Sequence, residues 1–210
     1  MIIKVREMPY SEKYANTLGY TKLLDTFIPP LVQKHLGNEG VAEVQRIWQE
    51  GLKPIPEDAS FKEKYEIAYA NWMWKWSSAF DFIQTHFGES GVEEFKRADL
   101  EALKRKNSGP ALFLMNVIRA LSPSSAFSMI AKQLASQFQV FTPLSVSEMT
   151  RQRAVFKIPR CKILDFKGGE SSCLIGCQSI FPMLLAEQLK VRMRTERQGN
   201  SCTVTLTPLG

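Results

Sequence analysis

Between Phe61 and Phe87 the residues Phe61, Tyr65, Ala68, Trp72, Trp76, Ala79, Ile83 and Phe87 recur at spacings of three and four. That spacing predicts a helix with one buried apolar stripe. Ser60 and Glu63 fit a capping box at its start, and Gly88 fits a stop at its end. Met73 and Trp74 fall off the stripe, which predicts cover on a second face. The pattern also has an echo. HLGNEGVAEVQRI (35–47) and HFGESGVEEFKRA (86–98) align without a gap and share His, Gly, Gly, Val, Glu and Arg. Each copy follows an apolar helix and opens another, so the reading is a duplicated helical hairpin, joined by GLKPIPEDAS (51–60). GPALFLMNVIRAL (109–121) reads as a buried helix. Ser122-Pro123 opens the next, whose apolar face is Phe127, Ile130, Leu134 and Phe138.

After Pro143 the period changes. RAVFKIPRCKIL (153–164) alternates Ala154, Phe156 and Ile158 against Val155 and Lys157, as a strand does, with Pro159 marking an edge or a bulge. Gly168-Gly169 breaks the chain, and SSCLIGCQSIFPMLLAEQL (171–189) follows as a helix. KVRMRTER and SCTVTLTP then alternate again around a turn at Gln198-Gly199-Asn200, with Cys202, Val204 and Leu206 on one face. The expected fold class is α+β. A helical region, 1–142, packs with a strand–helix–strand–strand region, 143–210, whose small antiparallel sheet carries one covering helix, the two forming one unit.

Composition narrows the function classes. At 44% hydrophobic and 23% charged, the 210 residues suit a globular protein with a substantial core. No apolar run approaches the length of a membrane span, and MIIKVREMPYSEKY has charges where a secretory signal needs its apolar core. A cytoplasmic protein with no membrane partner is expected. The net charge of +6 is spread among acids, and LKRKN (103–107) and KVRMRTERQ (190–198) are short, so no nucleic-acid partner is expected either. The expected partner is a small molecule, and a homo-oligomer is compatible with the sequence.

Candidate chemistry centres on the cysteines. Cys161, Cys173, Cys177 and Cys202 all lie in the last quarter of the chain. In a cytosolic setting they are not a disulfide framework. Cys173 and Cys177 share a side of their helix, and Cys173 sits in its first turn, where the helix dipole favours a thiolate. Three roles are open: a catalytic thiol, four thiolates around zinc, or small apolar side chains in a core. No other cofactor is indicated. The zinc pattern C-x11-C-x3-C-x24-C lacks the paired knuckles of structural zinc modules. Histidine is scarce: His35 and His86 both sit at helix ends in the repeat, where a structural role fits. His86, ending the aromatic helix, is the candidate catalytic base. Glu187 and Asp165 read as surface carboxylates.

The order RCKILDF, CLIGCQSIFPML, a basic strand and GNSCTVTL resembles the C-terminal half of the L-2-amino-thiazoline-4-carboxylate hydrolase-like family. Its members carry a Cys after a first strand, a Cys-bearing helix and a Gly-x-x-Cys hairpin, after helices with phrases such as HFGESGVEEF. The likeness runs through spaced single residues over about 65–207. It implies ring-opening hydrolysis of a cyclic amidine or related heterocycle. Cys173 or Cys177 would attack, Arg192 or Arg194 would hold a substrate carboxylate, and Trp72 and Trp76 would wall the pocket. The same region resembles, more distantly, the 4-vinyl-reductase-type small-molecule-binding domain, in which some members bind zinc through a helix Cys and a Glu-x-x-Cys-x7-Cys tail. Cys202 would be the last of those ligands, but Arg194 and Val191 stand where the other two tail ligands belong.

Overall fold

A computed structural model describes residues 6–209. Residues 1–5, which carry part of the argument against a secretory signal, lie outside the described residues. Helix α1 (Tyr10–Gly51) and helix α2 (Phe61–Asn107) are each folded back on themselves at one residue. Gly37 has φ 64° and ψ −158°, and Gly88 has φ 60° and ψ −150°, a combination that belongs almost only to glycine. The fold-back shows in the contacts. Lys75 of α2 meets Asp25 from the first arm of α1 and the Trp48 ring from the second, 4.1 Å from its centroid. Within α2, Phe95 meets Trp76 at 5.5 Å and Phe80 at 5.7 Å edge-on, across the two arms.

The repeated sequence is therefore the tip of each hairpin. Its second glycine is needed for space: a Cβ on Gly40 would lie 2.4 Å from Leu36 Cβ, and one on Gly91 2.3 Å from Phe87 Cβ. The two tips meet, with the His35 ring stacked on Phe87 at 4.6 Å and its Nε2 3.1 Å from the Glu94 carboxylate. The capping box is present, Ser60 Oγ accepting from Glu63 N at 3.3 Å and Ser60 N donating to Glu63 Oε2 at 2.9 Å. The residues off the stripe are covered: Met73 is buried, and Trp74 Nε1 donates to the Ile47 carbonyl at 3.1 Å.

Helix α3 (Pro110–Leu121) corrects the reading made from its composition. It buries none of its residues, and Phe113 and Leu121 are 71% and 82% exposed. Apolar content makes a helix a candidate for burial, but it supplies no element to bury it against. Helix α4 (Pro123–Phe138) buries Phe127, Ile130, Leu134 and Phe138 as its period predicts.

The sheet has four antiparallel strands in the order β1-β2-β4-β3, made of β1 (Ser145–Met149), β2 (Ala154–Ile158), β3 (Val191–Gln198) and β4 (Ser201–Pro208). The alternation predicts three strands; β1 is the addition. Its five residues bury only Val146 fully, and a register break between Val146 and Glu148 erases the period. Pro159 ends β2, which is an internal strand rather than an edge. Helix α5 (Gly169–Leu189) covers the sheet beside β3, while α4 packs on β1 and β4. By length and composition α5 is apolar enough to cross a membrane, contrary to the expectation from the sequence; here Cys173, Ile175, Ile180, Leu184 and Leu185 are buried against the fold. Two phenols of α2 hold the segment after α4: Tyr65 donates to the Val140 carbonyl and Tyr69 to that of Phe141, each at 2.8 Å. One apolar core runs from Leu24 and Ile28 through Tyr69 to Phe156 and Leu206.

Candidate functional site

A cavity opens between the α2 hairpin, α5 and the covered face of the sheet. It holds about 980 Å³ of atom-free space, its mouth included. The first arm of α2 supplies Trp72 and Trp76, the second arm Asp99, and α1 supplies Tyr20. All four cysteines line it: Cys161 from the turn after β2, Cys173 and Cys177 from α5, and Cys202 from β4. They are all free thiols.

Helix geometry explains how α5 presents this wall. Over Cys173–Ile180 the backbone widens to π-helical hydrogen bonding, with more residues per turn than an α-helix. Residues four apart then stay close to one line, so Cys173, Cys177 and Phe181 all reach the cavity. Gly176 lies in the same wall, and a Cβ there would meet no atom within 4 Å.

The thiols are not equivalent. Burial, with the neighbouring sulfurs adding to it, raises the Cys161 and Cys177 thiols and brings Cys202 up to about 11. Those three are uncharged thiols near neutrality. Cys173 faces two donors instead: the Gln178 amide lies 3.9 Å from its sulfur, and the Arg197 guanidinium reaches it as well. Arg197 is itself held in place. Nη2 donates to Glu170 Oε1 at 2.7 Å, Nη1 to the other oxygen, and Nε to the Gly199 carbonyl at 2.7 Å.

Asp99 is the acid of the cavity. It is 8% exposed, desolvation pushes its carboxyl up to about 7, and the nearby Trp76 indole opposes that rise. The Thr195 hydroxyl oxygen, on the same wall, is buried without a hydrogen-bond partner. A ligand seated here meets aromatic faces, a carboxyl that titrates near neutrality and an unsatisfied hydroxyl.

The residues expected from sequence divide. Trp72, Trp76, Cys173 and Cys177 converge on this cavity. His86 does not: it stacks on Phe82 at 4.1 Å, gives its Nδ1 proton to the Phe82 carbonyl at 2.9 Å, and borders a separate shallow depression with Lys167. Arg192 and Arg194 are exposed on the other face of β3, because Met193, Thr195 and Arg197 have the inward parity. The register carried this signal. A tight turn pairs Arg197 with Cys202, and a residue opposite an inward cysteine is itself inward. Asp99 had a signal too, since Phe95, Asp99 and Leu103 continue one apolar stripe at spacings of four.

No family model matches the chain, and no curated protein matches it. Among the described residues, no three His, Cys, Asp or Glu side chains are placed to hold a metal ion.

Proposed function

We propose that this chain is a cytoplasmic small-molecule hydrolase that opens a cyclic amidine or a related heterocycle, with Cys173 as nucleophile. The carrying observation is that one cavity brings the Cys173 thiol beside Arg197 together with a buried Asp99 carboxyl near Trp72 and Trp76. A protonated amidine is flat and cationic. Tryptophan faces attract it, and the carbonyl oxygen of the protonated Asp99 carboxyl accepts from its N–H groups. The free thiols suit a reducing compartment, and the residue order of the thiazoline-carboxylate hydrolase-like family supports the same chemistry.

In this reading Cys173 Sγ bonds to the amidine carbon while the C=N electron pair moves to nitrogen. Ring cleavage sends the bonding pair to the leaving heteroatom, which takes the Asp99 proton. Water then adds to the same carbon and returns a proton to Asp99, and Sγ departs as thiolate. The Thr195 hydroxyl donates to the charge that develops on the way.

The test follows L-2-amino-thiazoline-4-carboxylate and simpler cyclic amidines by NMR of the ring signals. The wild-type chain opens a ring. Cys173→Ala and Asp99→Asn lose at least about a hundredfold in rate while their circular dichroism stays native. Undiminished turnover by Cys173→Ala sinks the thiol mechanism. A second reading, a non-enzymatic binding or sensory module, is favoured by the raised thiols of Cys161, Cys177 and Cys202, which suit an inert lining. It predicts a ligand that co-purifies in native mass spectrometry and no turnover of any ring.

A further inference from the structure

Helix α3 stands out from the rest of the fold. Phe113, Leu114, Val117 and Leu121 form one outward apolar face, 71%, 58%, 39% and 82% exposed, while Leu112 and Met115 turn inward over a second apolar cavity shared with α4 and α5. Single exposed apolar residues are ordinary, but a contiguous helical face of them marks an interaction surface.

The stretch of chain that carries that face is one-sided in charge. From 102 to 147 the chain contains no Asp or Glu, yet it carries Lys104, Arg105, Lys106, Arg119 and Lys132. Lys104 is paired with Glu101 and Glu187, and Lys106 sits over the Tyr20 ring. Arg105, Arg119 and Lys132 have no carboxylate partner among the described residues. Arg119 lies on the inner side of α3 with Leu112 and Met115, its Nη1 buried without a hydrogen-bond partner, and takes no part in that face.

We propose that α3 is an interfacial helix that lays its apolar face into an anionic lipid surface, with Arg105 and Lys132 meeting the headgroups. A short helix with an apolar face and basic neighbours has the make-up of a segment that lies in the plane of a bilayer. The same charge disfavours a second copy of the chain as the occupant, because a two-fold contact through α3 sets one basic segment against another. A nucleic acid would answer the charge but would leave Phe113 and Leu121 in water. The expectation of no membrane partner rested on the lack of a span-length apolar run, which a helix lying in the plane of the interface does not need. The inference is independent of the chemistry proposed for the cysteine cavity.

The test is flotation of the full chain with phosphatidylcholine vesicles, with and without phosphatidylserine, at low and high salt. Binding is expected only to the phosphatidylserine vesicles and is expected to weaken several-fold as salt rises. The variant Phe113→Ser/Leu121→Ser, altered only at exposed positions, binds at least about tenfold more weakly while melting as the wild type does. Arg105→Gln/Lys132→Gln weakens binding and flattens its salt dependence. Three results overturn the proposal: no binding to anionic vesicles, equal binding to both kinds, or undiminished binding by the serine variant. A wild-type dimer in sedimentation equilibrium that the serine variant converts to monomer, without vesicle binding, makes the face a contact between copies and also overturns it.

Discussion

The Trp76 indole and the Asp99 carboxyl, on the two arms of the α2 hairpin, share one wall of the cysteine cavity. They meet because Gly88 turns the helix back on itself and brings the arms together. Desolvation raises the carboxyl's pKa by more than the nearby indole lowers it, and the balance stands at about 7 against 3.8 for a free Asp side chain.

A pH dependence follows, with a definite sign. The folded chain holds the Asp99 proton more tightly than the unfolded chain does, so between pH 3.8 and about 7 folding takes up a proton at this site. This group's contribution to stability therefore falls as pH rises through that window and is level above it. Asp99→Asn is expected to gain stability over wild type above about pH 7, by at most roughly 4 kcal/mol. Urea midpoints measured across that range check it. A constant gap between the two proteins at every pH excludes Asp99 as the titrating group.

The parity of β3 makes a second prediction. Arg197→Gln removes the guanidinium beside Cys173, so alkylation of Cys173 by iodoacetamide at neutral pH is expected to slow about threefold to tenfold. Arg192→Gln and Arg194→Gln, on the exposed face, leave that rate unchanged. Peptide mass spectrometry resolves Cys173 from the other three sulfurs, and equal slowing by all three variants would refute the parity argument.

The glycines of the hairpin tips should differ from the glycine of α5. Gly88→Ala forces a side chain into a backbone region that favours glycine and should cost about 1–3 kcal/mol, although its Cβ meets nothing within 4 Å. Gly176→Ala lies in a helix at an ordinary φ, also with free space, and should stabilise by about 0.5–1 kcal/mol. Thermal unfolding of the two variants reads both signs. A stable Gly88→Ala chain would mean that the hairpin does not turn at that residue.

Local rules made much of the architecture legible. The repeated His-x-Gly-x-x-Gly motif located both hairpin tips, since a glycine-only turn and a close Cβ contact are demands on single residues. The Ser60–Glu63 box and the alternation of β2 and β4 follow from backbone hydrogen bonding and a period of two. β1 escaped notice because it is five residues long with a register break, too little for a period to show.

The site was legible only in part, for the same reason. The periodicity of α2 already placed Trp72 and Trp76 on one face, and the spacing of Cys173 and Cys177 placed them on one side of α5. Only the packing of α2, α5 and the sheet decided that all four sulfurs, Asp99 and Arg197 share a cavity while His86 stands apart at a hairpin tip. Periodicity states which residues of an element share a face. It does not state which element that face meets, and that decides whether an apolar helix such as α3 is buried or bare, and whether an acid such as Asp99 is solvated or held near pH 7.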